Sequence, residues 1–305
     1  MEDFKTTDAA SYDAVANDFA HFSELTTKPL ADTMVRLAAL QPEHRVLDVA
    51  TGSGIVALTA AARAGENAGI TGIDLSDAML ATARANACQS EAGGRVTWTR
   101  ADAEALPFPD ASFDRVLSLF ALLHFPHPER ALAEMFRVLK PQGRAVIGLG
   151  SRPPRDSIQG WVHRIGRLPD LVWLATGRLL LAPAHLDRIV YRHVPPSGEP
   201  EETELAQDRH SRAPRAKKLM QETGFENIQT HWEGRCFECH STEEFWKLQR
   251  TYSSIARKRL SGASSDQVLG IRREFNEDCS RVLRRRGKLQ FHYAAFYLSG
   301  DRGSG

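Results

Sequence analysis

The chain is poor in the features that would assign it to several common classes. Four cysteines in 305 residues are too few for a disulfide framework. No uninterrupted apolar run reaches the ~20 residues a membrane-spanning helix needs, and no basic-then-apolar leader opens the sequence. A soluble cytoplasmic protein without stable membrane insertion is therefore expected. Formal net charge is only +1, so no global field recruits nucleic acid. No basic stretch interleaved with aromatics marks a nucleic-acid surface either. Internal repeats and long low-complexity tracts are missing. The string Cys236-Phe-Glu-Cys239-His240 satisfies the C-x-x-C-H pattern of haem attachment. That attachment accompanies export, and a lone C-x-x-C supplies too few zinc ligands. No metal is expected.

What is present is more specific. With 42% hydrophobic residues, the chain can bury one large domain or a domain with a cap. VLDVATGSG (46–54) reads as a buried strand running into a glycine-rich turn, and IVALTAAARAG (55–65) as a helix packed on a sheet. A second short strand ends in Asp74, twenty residues beyond the turn. Glycines let backbone approach a ligand closely, and the helix that follows aims unpaired amides at it. A carboxylate at the second strand tip is placed to accept hydrogen bonds from ribose hydroxyls. The pattern predicts a nucleoside-containing cofactor. Ala57 stands where a dinucleotide fingerprint has its third glycine, so this loop alone leaves a nicotinamide or flavin open. Asp48 argues otherwise: a carboxylate there repels a pyrophosphate but suits an ammonium and a sulfonium.

Strand and helix alternate through the first half. Strands are expected at 45–50, 69–74, 95–101, 113–120 and 144–149, with helices near 54–64, 77–91 and 126–139. Such alternation implies a parallel sheet with helices on both faces and a ligand at the strands' carboxyl ends. Before it, Tyr12, Val15, Phe19 and Phe22 form an amphipathic helical stripe. Residues 151–213 break the rhythm with prolines 153, 154, 169, 183, 195, 196 and 200. Afterwards come a helix closed by Gly224, a strand, polar helices near 242–260 and 265–286, and a closing strand at 288–300.

The ordered blocks VLDVATGSG, GIDLSDAML (72–80), ADAEALPFPDASFDRVLSLFALLHF (101–125) and ALAEMFRVLKPQGRAVI (131–147) resemble the class I S-adenosylmethionine-dependent methyltransferases. They are most similar to the branch of ubiquinone/menaquinone-biosynthesis and related small-molecule enzymes. The resemblance implies an α/β fold with a doubly wound, mostly parallel seven-stranded sheet, its last strand antiparallel. It divides the chain into an N-terminal helical lid (1–45), a cofactor-binding core (46–150), an inserted helical cap (151–213), a completion of the sheet (214–300) and a tail (301–305). Two positions depart from the pattern. Ala50 replaces the first glycine of the loop, which is tolerable at negative φ, and Gln142 replaces one glycine of the usual K-P-G-G turn.

The same resemblance assigns the cofactor site. Backbone of Ala50, Thr51, Gly52 and Gly54 lines the methionine portion, and Asp48 faces its ammonium. Asp74 takes the ribose hydroxyls, and Leu75 and Met79 wall the adenine. Asp102 accepts the exocyclic amine, beside the amide of Ala103. Leu119 ends the fourth strand under the methionine moiety, and Tyr12 closes over the cofactor. Plainer roles compete: Ser76 is the better helix cap beside Asp74, Met79 suits a core, and Asp114 is structural.

Methyl transfer from a sulfonium needs alignment and exclusion of water more than covalent help. A base is required only if the acceptor loses a proton, and His124, just past the fourth strand, is the candidate, with His127 second. Seven arginines against three aspartates in 151–192 fit either an anionic group on an amphipathic small-molecule acceptor or a solvated helical face. The alternatives to a methyltransferase are a methyltransferase-like protein that binds the cofactor without turnover, and a nucleotide-dependent oxidoreductase.

Overall fold

The computed structural model describes residues 15–151, 153, 158–194 and 212–304. The chain divides into two compact units. One comprises Met1–Arg152, Glu202–Glu233 and Ala294–Gly305; the other comprises Pro153–Glu201 and Gly234–Tyr293.

The first unit is built on strands β1 (Arg45–Val49), β2 (Gly69–Asp74), β3 (Val96–Arg100), β4 (Phe113–Leu119) and β5 (Leu139–Leu149). Their order is β3-β2-β1-β4-β5. All four pairings are parallel, with Val46 opposite Ile70 on one side and Arg115 on the other. A central parallel strand covered on both faces needs a continuous apolar run; Val46, Leu47 and Val49 are fully buried. The helix Ile55–Arg63 presents Ala57, Ala60 and Ala61 to the sheet, small enough for close approach. On the opposite face, helix Pro128–Val138 and helix Arg212–Thr223 enclose Leu132, Met135, Ala216 and Met220 in the main core.

The closing strand β8 (Lys288–Asp301) runs antiparallel to β5, Leu298 opposite Ile147, as expected of the last strand. The strand β7 (Glu226–Cys239) also pairs with β8. Buried Tyr297 of β8 donates to Leu30 O at 2.8 Å, tying helix Lys28–Ala38 to the sheet.

Four expectations change. The sheet counts eight strands rather than seven, because β6 (Leu179–Ala182), unseen in the sequence, pairs parallel with Lys288–Phe291 of β8. The inserted unit is larger than 151–213, since residues 234–293 belong with it. Its core explains why: helix Ala184–His193 buries Leu186, Ile189 and Val190, and Phe245, Trp246, Ile271 and Phe275 come from the later helices. The expected 242–260 helix is two helices, divided at Ser253, whose hydroxyl caps the second. Finally, residues 301–302, expected in the tail, are held in place, with Asp301 ending β8. Asp301 pairs with Arg144 at 2.7 Å. The Arg302 guanidinium donates to the carbonyls of Phe136, Arg137 and Leu139, closing the helix that ends at Val138.

Candidate active site

Asp48 sits near the carboxyl end of β1, 1% exposed. Thr51 Oγ1 donates to its Oδ2 at 2.5 Å and the Ala57 amide donates to the same oxygen at 3.1 Å. Burial outweighs those bonds and pushes the carboxyl up from 3.8 to about 7. Among the described residues both hydrogen bonds fall on Oδ2, which leaves Oδ1 for a cationic donor. The loop that follows turns through left-handed residues: Ala50 at φ 55°, Gly52 at 54° and Gly54 at 87°. The negative φ that would have excused Ala50 is not observed. An alanine held there costs roughly 1–2 kcal/mol relative to glycine. Gln142, the other departure, is also left-handed at φ 63°.

Asp74 holds the loop from the side. The Gly52 amide donates to its Oδ2 at 2.8 Å and the Ser76 amide to Oδ1 at 3.0 Å. Burial raises this carboxyl too, against those amide donors. Each oxygen retains a second lone pair for a ribose hydroxyl. Ser76 caps helix Asp77–Ala87 by accepting from the Met79 amide, so Asp74 is released from capping duty. Met79 itself is 3% exposed, as a core residue would be. Leu75 follows at the strand tip, its carbonyl accepting from Arg100 Nε at 3.1 Å.

Asp102 begins the loop after β3. The Ala101 amide donates to Asp74 O at 3.1 Å, bringing the two strand ends together. Asp102 Oδ1 accepts from the Glu104 amide at 2.9 Å, ordering its own turn above buried Ala103. Leu119 lies across Gly148, where a Cβ would stand 2.4 Å from its Cδ1. His124 closes a short 3-10 turn after β4, and a proton on it would favour the ionised form of Asp74. Asp114 is structural: it accepts from the Arg45 amide at 2.9 Å and pairs with Lys140 at 2.9 Å. Tyr12 lies outside the described residues.

Several contributors escaped the sequence. The indole of Trp98 lies against both Gly54 and Gly72, where a Cβ would approach to 2.7 and 2.6 Å. Those glycines are therefore needed for packing as well as for backbone shape. Phe19, read only as part of a stripe, lies over the glycine loop: a Cβ on Gly52 would stand 3.5 Å from its Cε1. Arg137 braces the loop carrying Asp102, donating to Leu106 O at 3.1 Å and Phe108 O at 2.8 Å while pairing with Glu134 and Asp110 at 2.7 Å.

Of the remaining candidates, His127 pairs with Glu129 at 3.2 Å, and Arg152 and Arg155 lie outside the described residues. Of the second unit's arginines, Arg167 pairs with Asp170 at 3.2 Å, Arg178 stacks 4.9 Å over Trp173, and Arg192 pairs with Glu274. His185 is core, lying between Phe245 and Phe275 and held neutral by desolvation, its value lowered to about 4. Cys236 and Cys239 are three apart on a strand, hence on opposite faces, one exposed and one buried. Burial pushes both thiols up, Cys239 to about 12. Neither is poised to be a metal-binding thiolate.

The profile of a family described as a methyltransferase domain matches residues 46–143. Over residues 46–143 the chain is thus similar to a methyltransferase domain. The resemblance read from the ordered blocks is thereby borne out, and the domain covers β1 through the start of β5. Among curated relatives, the ubiquinone/menaquinone biosynthesis C-methyltransferase UbiE of Geobacter sulfurreducens is 47% identical over 103 residues, 34% of this chain and 40% of that protein. The demethylmenaquinone methyltransferase of Thermus thermophilus is 44% identical over 132 residues, 43% of this chain and 58% of that protein. The chain thus spans about half the length of these relatives. Among solved structures, the YcgJ protein from a Bacillus has a TM-score of 0.53 at 20% identity, covering 90% of this chain and 98% of that one. The [4+2]-cyclase SpnF has a TM-score of 0.53 at 22% identity, covering 91% and 82%. These establish the Rossmann-like α/β methyltransferase fold; a cyclase among them means the fold alone does not fix the reaction.

Proposed function

We propose that this chain transfers a methyl group from S-adenosylmethionine to a small, apolar or amphipathic acceptor. The observation that carries the proposal is the pair of carboxylates, buried Asp48 and half-buried Asp74, gripping one glycine loop from below and from the side. The residues fit the cofactor's parts. Asp48 Oδ1 suits the ammonium, Asp74 the ribose diol, and Gly52 leaves room for backbone contact beneath Phe19. Asp102 and the amide of buried Ala103 suit the adenine edge, with Leu75 at its face. When bound, S-adenosylmethionine supplies a methyl on a sulfonium, open to in-line displacement. The chain's own work is to align the acceptor and exclude water, with His124 as the base where the acceptor must shed a proton.

The acceptor class is supported by the relatives, which are named for ubiquinone, menaquinone and demethylmenaquinone. A pyrophosphate cofactor fits poorly, because ionised Asp48 would repel it. The test is calorimetry with S-adenosylhomocysteine on the wild type and on Asp74→Asn. Tight binding is expected in the wild type, weakened about 100-fold in the variant as two charge-assisted hydrogen bonds are lost. Silence toward both sulfur nucleosides, with tight binding of a pyridine or isoalloxazine cofactor, would overturn the assignment. Binding without methyl transfer to any of a panel of apolar acceptors would instead indicate a cofactor-holding protein without turnover.

A further inference from the structure

The second unit carries an apolar surface that its own core does not use. Helix Ile158–Gly166 exposes Trp161, Val162 and Ile165 at 60, 65 and 60%. Helix Leu168–Ala175 packs against it and buries no residue at all; Leu168, Leu171 and Val172 are 56, 59 and 64% exposed. Residues three and four apart share a helix face, so these six side chains form one apolar stripe on each of two adjoining helices. Soluble proteins scatter exposed apolar residues singly; a contiguous group of this size marks an interaction surface.

A basic turn stands beside it. Arg284, Arg285 and Arg286 are consecutive and exposed, and Lys288 follows. Three contacts place this turn at the end of helix Leu168–Ala175. The Lys288 amide donates to Arg178 O at 2.8 Å, Arg178 Nε donates to Arg285 O at 3.0 Å, and a Cβ on Gly177 would lie 3.4 Å from the Arg285 guanidinium. Arg178 and Lys288 both lie over the Trp173 ring. From 158 to 178 the sequence holds one acidic residue, Asp170, already paired with Arg167.

We infer that this face rests on the surface of an anionic phospholipid bilayer. Apolar side chains with a tryptophan, laid beside clustered arginines, are what a helix lying in the membrane interface requires. The charge favours that occupant over a second copy of the chain, because a symmetric pairing through this face would bring two tribasic turns together. A small acceptor could not cover six side chains on two helices. The mode is peripheral: no helix among the described residues is long and apolar enough to cross a membrane.

Flotation of the full chain with phosphatidylcholine vesicles, with and without about a third of phosphatidylglycerol, tests the inference. The wild type is expected to float with anionic vesicles and to be released by high salt. Arg284→Gln, Arg285→Gln and Arg286→Gln together should weaken partitioning about 100-fold, from roughly fivefold per charge. Ile165→Glu with Leu171→Glu should abolish it; both side chains are exposed, and an unchanged circular dichroism melt confirms folding. Vesicles of brominated lipid should quench the fluorescence of the wild type more than that of Trp161→Phe. No partitioning to either vesicle, or partitioning indifferent to the arginines and to salt, would overturn the inference. So would a concentration-dependent dimer that Leu171→Glu dissociates while vesicles are ignored.

Discussion

Asp48→Asn separates the cost of the buried carboxylate from its use. In the folded chain this group ionises near 7, whereas in the unfolded chain it ionises near its ordinary 3.8, because burial penalises the charge. Between those values the unfolded state sheds a proton that the folded state keeps, so rising pH favours unfolding. At 1.36 kcal/mol per unit the displacement is worth about 4 kcal/mol, a large part of the 5–15 kcal/mol typical of a domain. The asparagine carbonyl can still accept from Thr51 and Ala57 and carries no charge. The variant should therefore gain about 4 kcal/mol on the wild type between pH 4 and pH 7, with no further gain above. Urea unfolding of both proteins from pH 4 to 9 measures it, and any fixed offset from the substitution leaves the slope intact. A stability difference that is flat across this range, or that favours the wild type as pH rises, would refute the argument. The same carboxylate should matter oppositely for ligand. A cation at Asp48 requires the ionised form, so S-adenosylhomocysteine affinity should fall on acidification below about pH 7, with proton release visible when calorimetry is repeated in buffers of different ionisation enthalpy.

Other consequences follow from particular residues. Gln142→Gly relieves a left-handed side-chain residue and should raise stability by about 1 kcal/mol, read as a shift in the urea midpoint, with cofactor binding unchanged. Arg137→Ala removes the clamp on residues 106–110 and should cost about 2 kcal/mol; its larger signature is weaker S-adenosylhomocysteine binding, through a loosened Asp102 loop, measured by the same calorimetry. His124→Gln should lower turnover of an acceptor that must lose a proton by 10²-fold or more and flatten the acidic limb of its pH–rate profile. If His124 only biases Asp74, the loss appears in cofactor affinity instead.

The sequence by itself determined the local framework of the first unit. Strand β1, the left-turning loop, the Asp74 strand tip and the Ser76 cap are short-range patterns. Apolar periodicity, glycine and side-chain capping act within a few residues, so order and spacing suffice to read them. The antiparallel last strand followed from the resemblance those blocks carry, whereas the Lys140–Asp114 pair came only with the structure. Tertiary structure alone decided the rest, because the partners lie far apart along the chain. Trp98 reaches Gly54 across 44 residues, and Arg137 clamps carbonyls about 30 residues before it. Ala50 took a positive φ because the loop is fixed between Asp48 and Asp74, whatever its own side chain prefers. Helices 242–284 joined the insertion because Leu186, Ile189 and Val190 needed an apolar partner that 151–213 could not supply. Burial likewise set the charge of Asp48: a carboxyl's water is removed by neighbours that no window of sequence contains.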